Sequence, residues 1–337
     1  MDILENVSLL PYNTFHMDVA AKQFAHATNT EALRELSSYG RKKNLPIFIL
    51  GGGSNILLTR PVDALVIRNE LLGIELSHED DQFYYVKAGA GEVWHTFVLH
   101  CVNNGYAGTE NLSLIPGSVG AGPMQNIGAY GVELKDIFHE LEALHIEEGT
   151  VHRFSNADCK FGYRESVFKR ELKNQFIITS VTFRLNKNAK LNTSYGAIEK
   201  ELEAMGVHQP DIKDVSNAVI RIRSSKLPDP AVIGNAGSFF KNPVVTPSQF
   251  EQIRKSFPDV VSYPSGDDVK LAAGWLIEKC GWKGQRFGDA GVHAQQALVL
   301  VNFGKASGKE IFDLSQKIMD SVKETFGVTL EREVNIY

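Results

Sequence analysis

The feature that most constrains this chain is a glycine-rich segment, Leu114–Gly131, in which no residue carries a charge. Its glycines are Gly117, Gly120, Gly122, Gly128 and Gly131. Glycine lets a ligand approach the main chain closely, and successive backbone N–H groups can bind an anion without a side-chain cation. The pattern therefore favours a loop that holds a diphosphate. A glycine-rich turn that only packs against its surroundings is an equally open alternative.

A second glycine turn follows a short apolar run. Ile47–Leu50 has the composition of a buried strand and leads directly into Gly51–Asn55, where the Ser54 hydroxyl and the Asn55 amide add polar groups. Two such turns favour a large ligand with two phosphates. Neither turn is a Walker loop, because no Gly-Lys-Ser/Thr follows, and neither has the spacing of a Rossmann fingerprint.

Composition limits the class of protein. With 337 residues, of which 43% are hydrophobic and 22% charged, the chain has the make-up of a soluble globular protein of two or three domains. The net charge of -5 argues against a general binder of nucleic acid or of a membrane surface. We see neither a membrane span nor a signal peptide in the sequence. The three cysteines and ten histidines show no metal-ligand spacing, so we expect a reduced, cytoplasmic protein without a metal site.

Three stretches differ in their predicted secondary structure. Residues 1–70 predict an α/β subdomain, and residues 71–225 predict one that is richer in strands. Two prolines in Ser225–Pro230 end the preceding helix and indicate a domain boundary. Residues 226–337 predict a separate α+β domain.

Capping patterns predict where several helices begin. A hydroxyl residue followed three positions later by Glu or Gln can satisfy free N–H groups at a helix start. Such pairs are Thr28 with Glu31, Thr246 with Gln249, and Ser307 with Glu310. A further helix is predicted over Leu271–Cys280.

Phe161–Ser166 contains an arginine directly after a Gly-Tyr pair. Arg164 is permanently charged and can hold a carboxylate through two parallel hydrogen bonds. From the residues alone, a surface salt bridge with Glu165 or another neighbour is the favoured interpretation.

Gly234–Pro243 places Ser238 between a glycine and two aromatic residues, Phe239 and Phe240. The segment lacks the last glycine of a nucleophile elbow. A serine hydroxyl can still pass a proton in a dry site, and the two phenylalanines would help to exclude water. A serine in a tightly packed turn is the alternative.

Two acids lie near the C-terminus on a predicted strand. Their spacing places Glu331 and Glu333 on one face, opposite Val328, Leu330, Val334 and Ile336. A solvated acidic face is the usual meaning of this pattern, and from the residues alone either acid could be functional.

Taken together, these segments resemble the UDP-N-acetylenolpyruvoylglucosamine reductase family of bacterial peptidoglycan precursor synthesis. The resemblance runs from Asn13–Phe15 to Leu330–Val334. It implies an α+β fold: a two-part FAD-binding domain of the vanillyl-alcohol-oxidase-like (PCMH-type) class, residues 1–70 and 71–225, and a C-terminal α+β substrate-binding domain, residues 226–337. It also implies non-covalent FAD, NADPH as electron donor, and reduction of UDP-N-acetylglucosamine enolpyruvate to UDP-N-acetylmuramate.

The resemblance implies roles for individual residues. Arg164 would hold the carboxylate of the enolpyruvyl group, Ser238 would be the general acid, and Glu333 rather than its rival Glu331 would be the catalytic acid. The implied FAD contacts, in which backbone N–H groups of 51–55 and 116–122 hold the diphosphate, are Gly51, Gly53, Ser54, Asn55, Ile115, Pro116, Gly117, Ser118, Gly122, Asn126, Ile127 and Gly128. The implied substrate contacts are Tyr163, Tyr195, Lys226, Asn242, Tyr263, Lys283 and Gln296. Tyr195 lies in a loop that covers the substrate in one subtype of the family, so that subtype is implied.

Two other functions stay open from the sequence. A different flavin-dependent oxidase or dehydrogenase on the same scaffold would keep both glycine turns but lack the set of Arg164, Ser238 and Glu333. A non-catalytic protein that binds nucleotide sugars would contain no flavin. We expect a monomer whose partners are small molecules rather than nucleic acid or membrane.

Overall fold

The protein divides into two compact units. A computed structural model describes residues 2–337. The first unit contains the N-terminal residues up to Val7, Ala20–Gly53 and Asp63–Ser225, and the second contains Ser8–Val19, Ser54–Val62 and Lys226–Tyr337. The largest segment of the second unit begins at Lys226. Two short early segments fold with it, which the sequence did not predict, and the predicted domains with boundaries at residues 70 and 225 stay a prediction.

Strands and α-helices are both present along the whole chain. The strands are β1 (Leu4–Ser8), β2 (Ala20–Ala27), β3 (Ile47–Leu50), β4 (Ile56–Leu57), β5 (Val62–Asn69), β6 (Ile74–Glu79), β7 (Phe83–Gly89), β8 (Gly128–Ala129), β9 (Val132–Glu133), β10 (Phe138–His145), β11 (Val151–Ser155), β12 (Phe176–Asn186), β13 (Gly234–Ser238), β14 (Val244–Val245), β15 (Ser262–Ser265), β16 (Asp268–Leu271), β17 (Arg286–Phe287), β18 (Ala290–Val292), β19 (Val299–Asn302) and β20 (Asn335–Ile336). The α-helices are α1 (Thr30–Lys42), α2 (Trp94–Asn103), α3 (Leu134–Ile137), α4 (Asn156–Cys159), α5 (Gly196–Ala204), α6 (Ile212–Lys226), α7 (Pro247–Ser256), α8 (Ala273–Lys279) and α9 (Gly308–Phe326).

The first unit contains a four-stranded sheet in the order β1-β2-β5-β3, in which β3 and β5 are parallel. Helix α1 packs on this sheet, and its Leu33 is buried in the same core as Ile67 of β5. The helix begins at Thr30 because the Asn29 side chain accepts a hydrogen bond from the Ala32 N–H at 2.8 Å. The predicted cap at Thr28 is wrong, because the side-chain oxygen of Asn29, the residue directly before the helix, accepts the capping hydrogen bond instead.

The first unit also contains a five-stranded antiparallel sheet, β11-β10-β12-β7-β6, and the short antiparallel pair β8-β9. Helix α2 packs against it, and the rings of Phe97 and Phe183 lie 4.6 Å apart. The helix is followed by Gly105 in a left-handed conformation, which is a common way for a helix to end. Leu144 and Ile177 of this sheet are buried in the core of the four-stranded sheet, which explains why both sheets belong to one unit.

The second unit combines two small antiparallel sheets, β13-β19-β18-β17 and β14-β16-β15, with the parallel pair β20-β4. Helix α9 begins with the predicted capping box of Ser307 and Glu310. At the start of α7, Thr246 caps the helix, but the Gln249 side chain bonds to another segment, so only half of that predicted box forms. Helix α8 is shorter than predicted because the chain up to Leu271 belongs to β16.

Candidate active site

The glycine-rich segment starts at a strained residue. Leu114 has a φ of +58°, a conformation that side chains rarely adopt. Its peptide groups are held on both sides, because its N–H donates to His95 Nδ1 at 2.9 Å and its carbonyl accepts from Arg223 Nε at 3.3 Å. Burial, and then the nearby Arg223, lower the pKa of His95, in keeping with a ring nitrogen that accepts a hydrogen bond. These contacts fix the direction in which the segment continues.

The two glycine turns predicted to bind a diphosphate contact each other in the first unit. A Cβ atom on Gly52 would lie 2.7 Å from the Cα of Gly117, and one on Gly51 would collide with the Ser118 hydroxyl. Only glycine permits two main chains to come this close. The sequence predicted each turn separately, and the structure joins Gly51–Gly53 with Gly117 and Ser118.

The backbone N–H groups of the segment are not equally available to a ligand. Those already bonded to backbone carbonyls are the N–H groups of Val119, Gly120, Ala121 and Gly122. Pro116 has no N–H. Within residues 2–337 we find no backbone acceptor for the N–H groups of Gly117 and Ser118. In this segment the N–H groups of Gly117 and Ser118 are therefore the ones that suit an anion. That residues 51–55 and 116–122 hold a diphosphate stays a prediction.

Asn126, a predicted cofactor contact, links two predicted site segments. Its side chain is fully buried. Its Nδ2 donates to the Gly162 carbonyl at 2.9 Å and to Glu133 at 3.0 Å, and its Oδ1 accepts from the Lys135 N–H at 3.0 Å. These bonds occupy both N–H donors of the Asn126 amide, so its side chain has no hydrogen left to donate to a cofactor.

Arg164 lies on the end of the glycine-rich segment. Its Nη2 donates to the Gly128 carbonyl at 2.7 Å, and its Cζ lies 5.4 Å from the centroid of the Tyr163 ring. Glu165, the partner in the alternative interpretation, accepts a hydrogen bond from Arg170 at 2.9 Å. The main chain and an aromatic ring thus orient the Arg164 guanidinium, which suits recognition of a planar carboxylate.

The loop that carries Tyr195 is attached to the same segment. The buried Asn111 donates from Nδ2 to the Tyr130 carbonyl at 3.0 Å and to the Asn192 carbonyl at 2.9 Å. The rings of Tyr130 and Tyr195 meet edge to face at 5.4 Å. One amide therefore ties the loop to the glycine-rich segment. Sequence reasoning missed Asn111 because a single asparagine carries no spacing signal.

Asn111→Ala is expected to loosen this loop, because both carbonyls lose a buried donor at a cost of about 1–3 kcal/mol. The melting temperature should fall, and proteolytic cleavage near Asn192 should become several-fold faster. Asn104→Ala is the matched control, since its Nδ2 also donates to a carbonyl, at 2.8 Å, but at an exposed helix end. Equal cleavage rates in the two variants would contradict this role of Asn111.

The predicted catalytic residues are divided between the units: Arg164 belongs to the first, and Ser238 and Glu333 belong to the second. Within the second unit, Asn55 Nδ2 donates to the Glu333 carbonyl at 3.3 Å. The Glu333 N–H donates to the Phe239 carbonyl at 2.9 Å. The structure thus places Glu333 between a predicted cofactor residue and the segment that carries Ser238.

The surroundings of Ser238 differ from the expectation. Ser238 is exposed, whereas Phe239 and Phe240 are buried and pack together with a ring separation of 5.3 Å. Phe239 also packs on Phe15, at 6.2 Å. The expectation that both phenylalanines keep water from the hydroxyl is wrong, because their rings belong to the core. A bound substrate would have to exclude the water.

The predicted C-terminal strand forms only in part. Its regular portion is β20, and before it Arg332 makes a single bridge with Phe240. The predicted alternation is present in part, because Glu331 is exposed and Glu333 is half-buried. On the other face Val328, Leu330 and Val334 are buried, whereas Ile336 is only half-buried.

In two of the predicted substrate contacts, the side-chain oxygen already accepts a hydrogen bond from a backbone N–H of the protein. The Oδ1 of Asn242 accepts from the Ala273 N–H at 2.9 Å, at the start of α8. The Oε1 of Gln296 accepts from the Leu298 N–H at 3.4 Å. Both residues are half-buried. Their amide NH2 groups are therefore the donors that suit a ligand.

The other predicted substrate contacts in the second unit lie at the surface. Lys226 ends α6 and Tyr263 lies on β15, and both are exposed. Lys283 is half-buried, with its side chain 33% exposed, and pairs with Glu278 at 3.0 Å. The exposed Lys226 can reorient towards an anionic ligand at little cost, and Lys283 would have to leave only a partly exposed ion pair, which is weak.

Among residues 2–337, no group of three or more His, Cys, Asp or Glu side chains is arranged to hold a metal ion. Within the same residues, no helix has both the length and the apolar character that a bilayer crossing requires. Cys101, Cys159 and Cys280 are unpaired with one another. Burial raises the pKa of the Cys159 thiol to about 12, so this thiol is unreactive.

Two family models match the chain. Residues 21–155 match a model described as an FAD binding domain, and residues 229–337 match the C-terminal domain of UDP-N-acetylenolpyruvoylglucosamine reductase. The reductase of Flavobacterium johnsoniae is 55% identical to this chain over 100% of both sequences. This chain belongs to the UDP-N-acetylenolpyruvoylglucosamine reductase family. The reductase of Pseudomonas aeruginosa is 51% identical, over 100% of this chain and 99% of the relative.

Solved structures agree with membership in the reductase family. A crystal structure of the reductase from Thermus caldophilus matches with a TM-score of 0.67 and 25% identity, over 100% of this chain and 98% of that one. The 6-hydroxy-D-nicotine oxidase of Arthrobacter nicotinovorans matches with a TM-score of 0.50 and 13% identity, over 97% and 86% of the chains, and shows a shared fold only. The predicted fold class is confirmed.

Proposed function

We propose that this chain is an NADPH-dependent, FAD-containing reductase that converts UDP-N-acetylglucosamine enolpyruvate to UDP-N-acetylmuramate. The observation that carries the proposal is the full-length match to reductases of this family, at 55% identity with the Flavobacterium johnsoniae protein. We also propose that the enzyme acts in the cytoplasm as a monomer and binds neither nucleic acid nor membrane. The net charge of -5 supports the last point, because it gives no general attraction to polyanions.

The facing glycine turns fit a cofactor that carries a diphosphate. Gly51–Gly53, Gly117 and Ser118 would hold it, because their main chains lie close together and side chains would block the approach. When bound, FAD supplies the hydride that adds to the vinyl carbon of the enolpyruvyl ether, after NADPH has provided the electrons. The chain contributes placement and electrostatics.

Arg164 would bind the carboxylate of the enolpyruvyl group. Hydride addition to the vinyl carbon leaves excess negative charge on the carboxylate side of the substrate, as an enediolate. A cation that is already oriented stabilises such charge more than a mobile one, because it does not have to reorganise. The hydrogen bond from Arg164 to the Gly128 carbonyl, at 2.7 Å, supplies that orientation.

Ser238 and Glu333 would complete the proton chemistry. The Ser238 hydroxyl would deliver a proton to the carbon beside the carboxylate, and Glu333 in its protonated form would donate a hydrogen bond to the carboxylate itself. The exposure of Ser238 supports access to a ligand rather than a packing role. Further contacts would be made by Tyr163, Tyr195, Lys226, Asn242, Tyr263, Lys283 and Gln296.

Anaerobic half-reactions test the proposed function. The purified protein should be yellow, should lose its flavin absorbance on mixing with NADPH, and should recover it on addition of UDP-N-acetylglucosamine enolpyruvate. UDP-N-acetylglucosamine, which lacks the vinyl group, is the matched control and should not restore the absorbance. A colourless protein would support a nucleotide-sugar binder, and recovery with oxygen but not with the enolpyruvyl substrate would support a different flavoenzyme.

Gly52→Ala is expected to remove most of the flavin. The added Cβ would lie 2.7 Å from the Gly117 Cα, so the two turns must separate. Gly196→Ala is the control, because a Cβ there meets nothing within 4 Å. The measurements are the flavin absorbance per mole of protein and the FAD dissociation constant of the apoprotein, with circular dichroism to verify folding. Equal flavin content in a folded Gly52→Ala protein would contradict this placement.

A further inference from the structure

The C-terminal segment that carries Glu333 is fixed to α9 by the residue before it. Arg332 donates from Nε to Ser315 and from Nη2 to Gln316, both at 2.8 Å. Its guanidinium also lies over the Phe312 ring, with Cζ 4.4 Å from the centroid. Because successive side chains of an extended segment alternate in direction, this anchor turns Glu333 and Glu331 to the opposite face.

A second set of contacts fixes the segment to residues 239–241. The Lys241 N–H donates to the Glu331 carbonyl at 2.9 Å, and its Nζ donates to the Glu331 carboxylate at 2.6 Å. Two positions further along, the Glu333 N–H donates to the Phe239 carbonyl. The side chain of Lys241 is 11% exposed and that of Glu331 is 70% exposed, so water screens this ion pair from the Glu331 side only.

We propose that Glu331 is a positioning residue, which acts through Lys241 to hold Glu333 in place and transfers no proton itself. The proposal rests on the proposed function. It gives the catalytic role to Glu333 and a supporting role to Glu331, a choice that the residues alone left open. An ammonium group only donates hydrogen bonds, so the Glu331 oxygen at Lys241 serves as an acceptor. Glu333 lies instead beside Asn55, at the glycine turn.

A double-mutant cycle separates positioning from chemistry. Glu333→Ala, which removes the donor, should slow reoxidation of the flavin by the enolpyruvyl substrate by on the order of 10²-fold or more. Glu331→Gln should slow the same step about 10-fold, within the ~10² that a misplaced catalytic group can cost. The double variant should be no slower than Glu333→Ala alone, because the position of the segment no longer matters once the catalytic side chain is gone. A double variant that is slower still would make Glu331 an acid in its own right and overturn the proposal.

Other variants test the route through Lys241. Lys241→Met should reproduce the Glu331→Gln effect, and Lys241→Arg should largely preserve the wild-type rate because it keeps the charge. Reduction by NADPH should be unchanged in all of them. Glu324→Gln on α9 is the control for loss of an exposed negative charge and should match wild type. Equal slowing of both half-reactions in Glu331→Gln would show general destabilisation and contradict positioning.

Hydrogen exchange tests the proposal without the reaction. The Glu333 N–H should exchange several-fold faster in Glu331→Gln and Lys241→Met than in wild type or Glu324→Gln, because the ladder to Phe239 is weakened. An unchanged exchange rate would overturn the positioning role even if the enzyme is active. Failure of wild-type protein to react with the enolpyruvyl substrate would refute the proposed function instead, and the exchange result would still decide the positioning.

Discussion

Replacement of Ser238 by alanine is expected to slow reoxidation of the flavin by the enolpyruvyl substrate by on the order of 10²–10⁴, the usual effect of losing one positioned proton donor. Reduction of the flavin by NADPH should stay near normal, because no proton passes to the substrate in that step. Stopped-flow absorbance under anaerobic conditions measures the two half-reactions separately.

Because Ser238 is exposed, its replacement should affect the proton transfer without disturbing the fold. The neighbouring phenylalanine rings are buried, and the serine hydroxyl is not part of that core. Alanine should therefore leave the melting temperature within a degree or two of wild type, since surface substitutions usually cost little stability. Ser256→Ala, at an exposed position on α7, makes the same chemical change in the same unit and should affect neither half-reaction.

Ser238→Cys adds a second comparison. A thiol can still donate a proton, so this variant should react faster than Ser238→Ala. Equal slowing of the two half-reactions by alanine, or an alanine variant as fast as wild type, would remove Ser238 from the mechanism. A loss of rate that follows the melting temperature would point to packing instead.

Sequence patterns predicted the start of a helix well where the interacting side chains lie close together in the chain. The box of Ser307 and Glu310 starts α9 as expected, because both partners lie within one turn of each other. Thr28 failed as a cap because Asn29 competes for the same free N–H groups, and the two cannot be ranked from sequence. Alternation near the C-terminus correctly separated the buried residues from Glu331 and Glu333.

Long-range arrangements could not be predicted from the same patterns. The sequence contains Asn13–Phe15 as part of the family resemblance, but nothing local indicates its role. In the structure Thr14 donates to the Asn235 carbonyl at 2.6 Å, and Asn302 donates to the Phe15 carbonyl at 2.9 Å. These bonds tie an early segment to β13 and β19, and the partners are separated by more than two hundred residues.

The candidate site shows the same limit. The glycines predicted that another group approaches the main chain closely at each turn. Only the fold shows that Gly52 lies against Gly117. The sequence assigned Asn126 to the cofactor, whereas its side chain is occupied by internal hydrogen bonds. A polar residue next to a binding loop looks the same in sequence whether it supports the loop or contacts the ligand.

Arg164→Lys is expected to slow reoxidation by the enolpyruvyl substrate by on the order of 10²–10³, comparable to the loss of one donor to a developing negative charge. Arg164 already donates to the carbonyls of Gly128 and Asn126, at 2.7 and 3.4 Å. A guanidinium has five donors and can keep these bonds while offering further N–H groups to a carboxylate. Lysine has a single nitrogen and cannot serve both sides, although its charge is the same.

The matched control lies in the same segment. Arg170→Lys makes the same substitution at an exposed position that pairs with Glu165, and it should leave both half-reactions unchanged. Flavin content and melting temperature of Arg164→Lys should stay near wild type, which separates loss of a substrate contact from loss of the fold. Addition of free guanidinium to Arg164→Ala should restore part of the rate. If both half-reactions of Arg164→Lys match wild type, Arg164 does not contact the substrate carboxylate, and its role is structural.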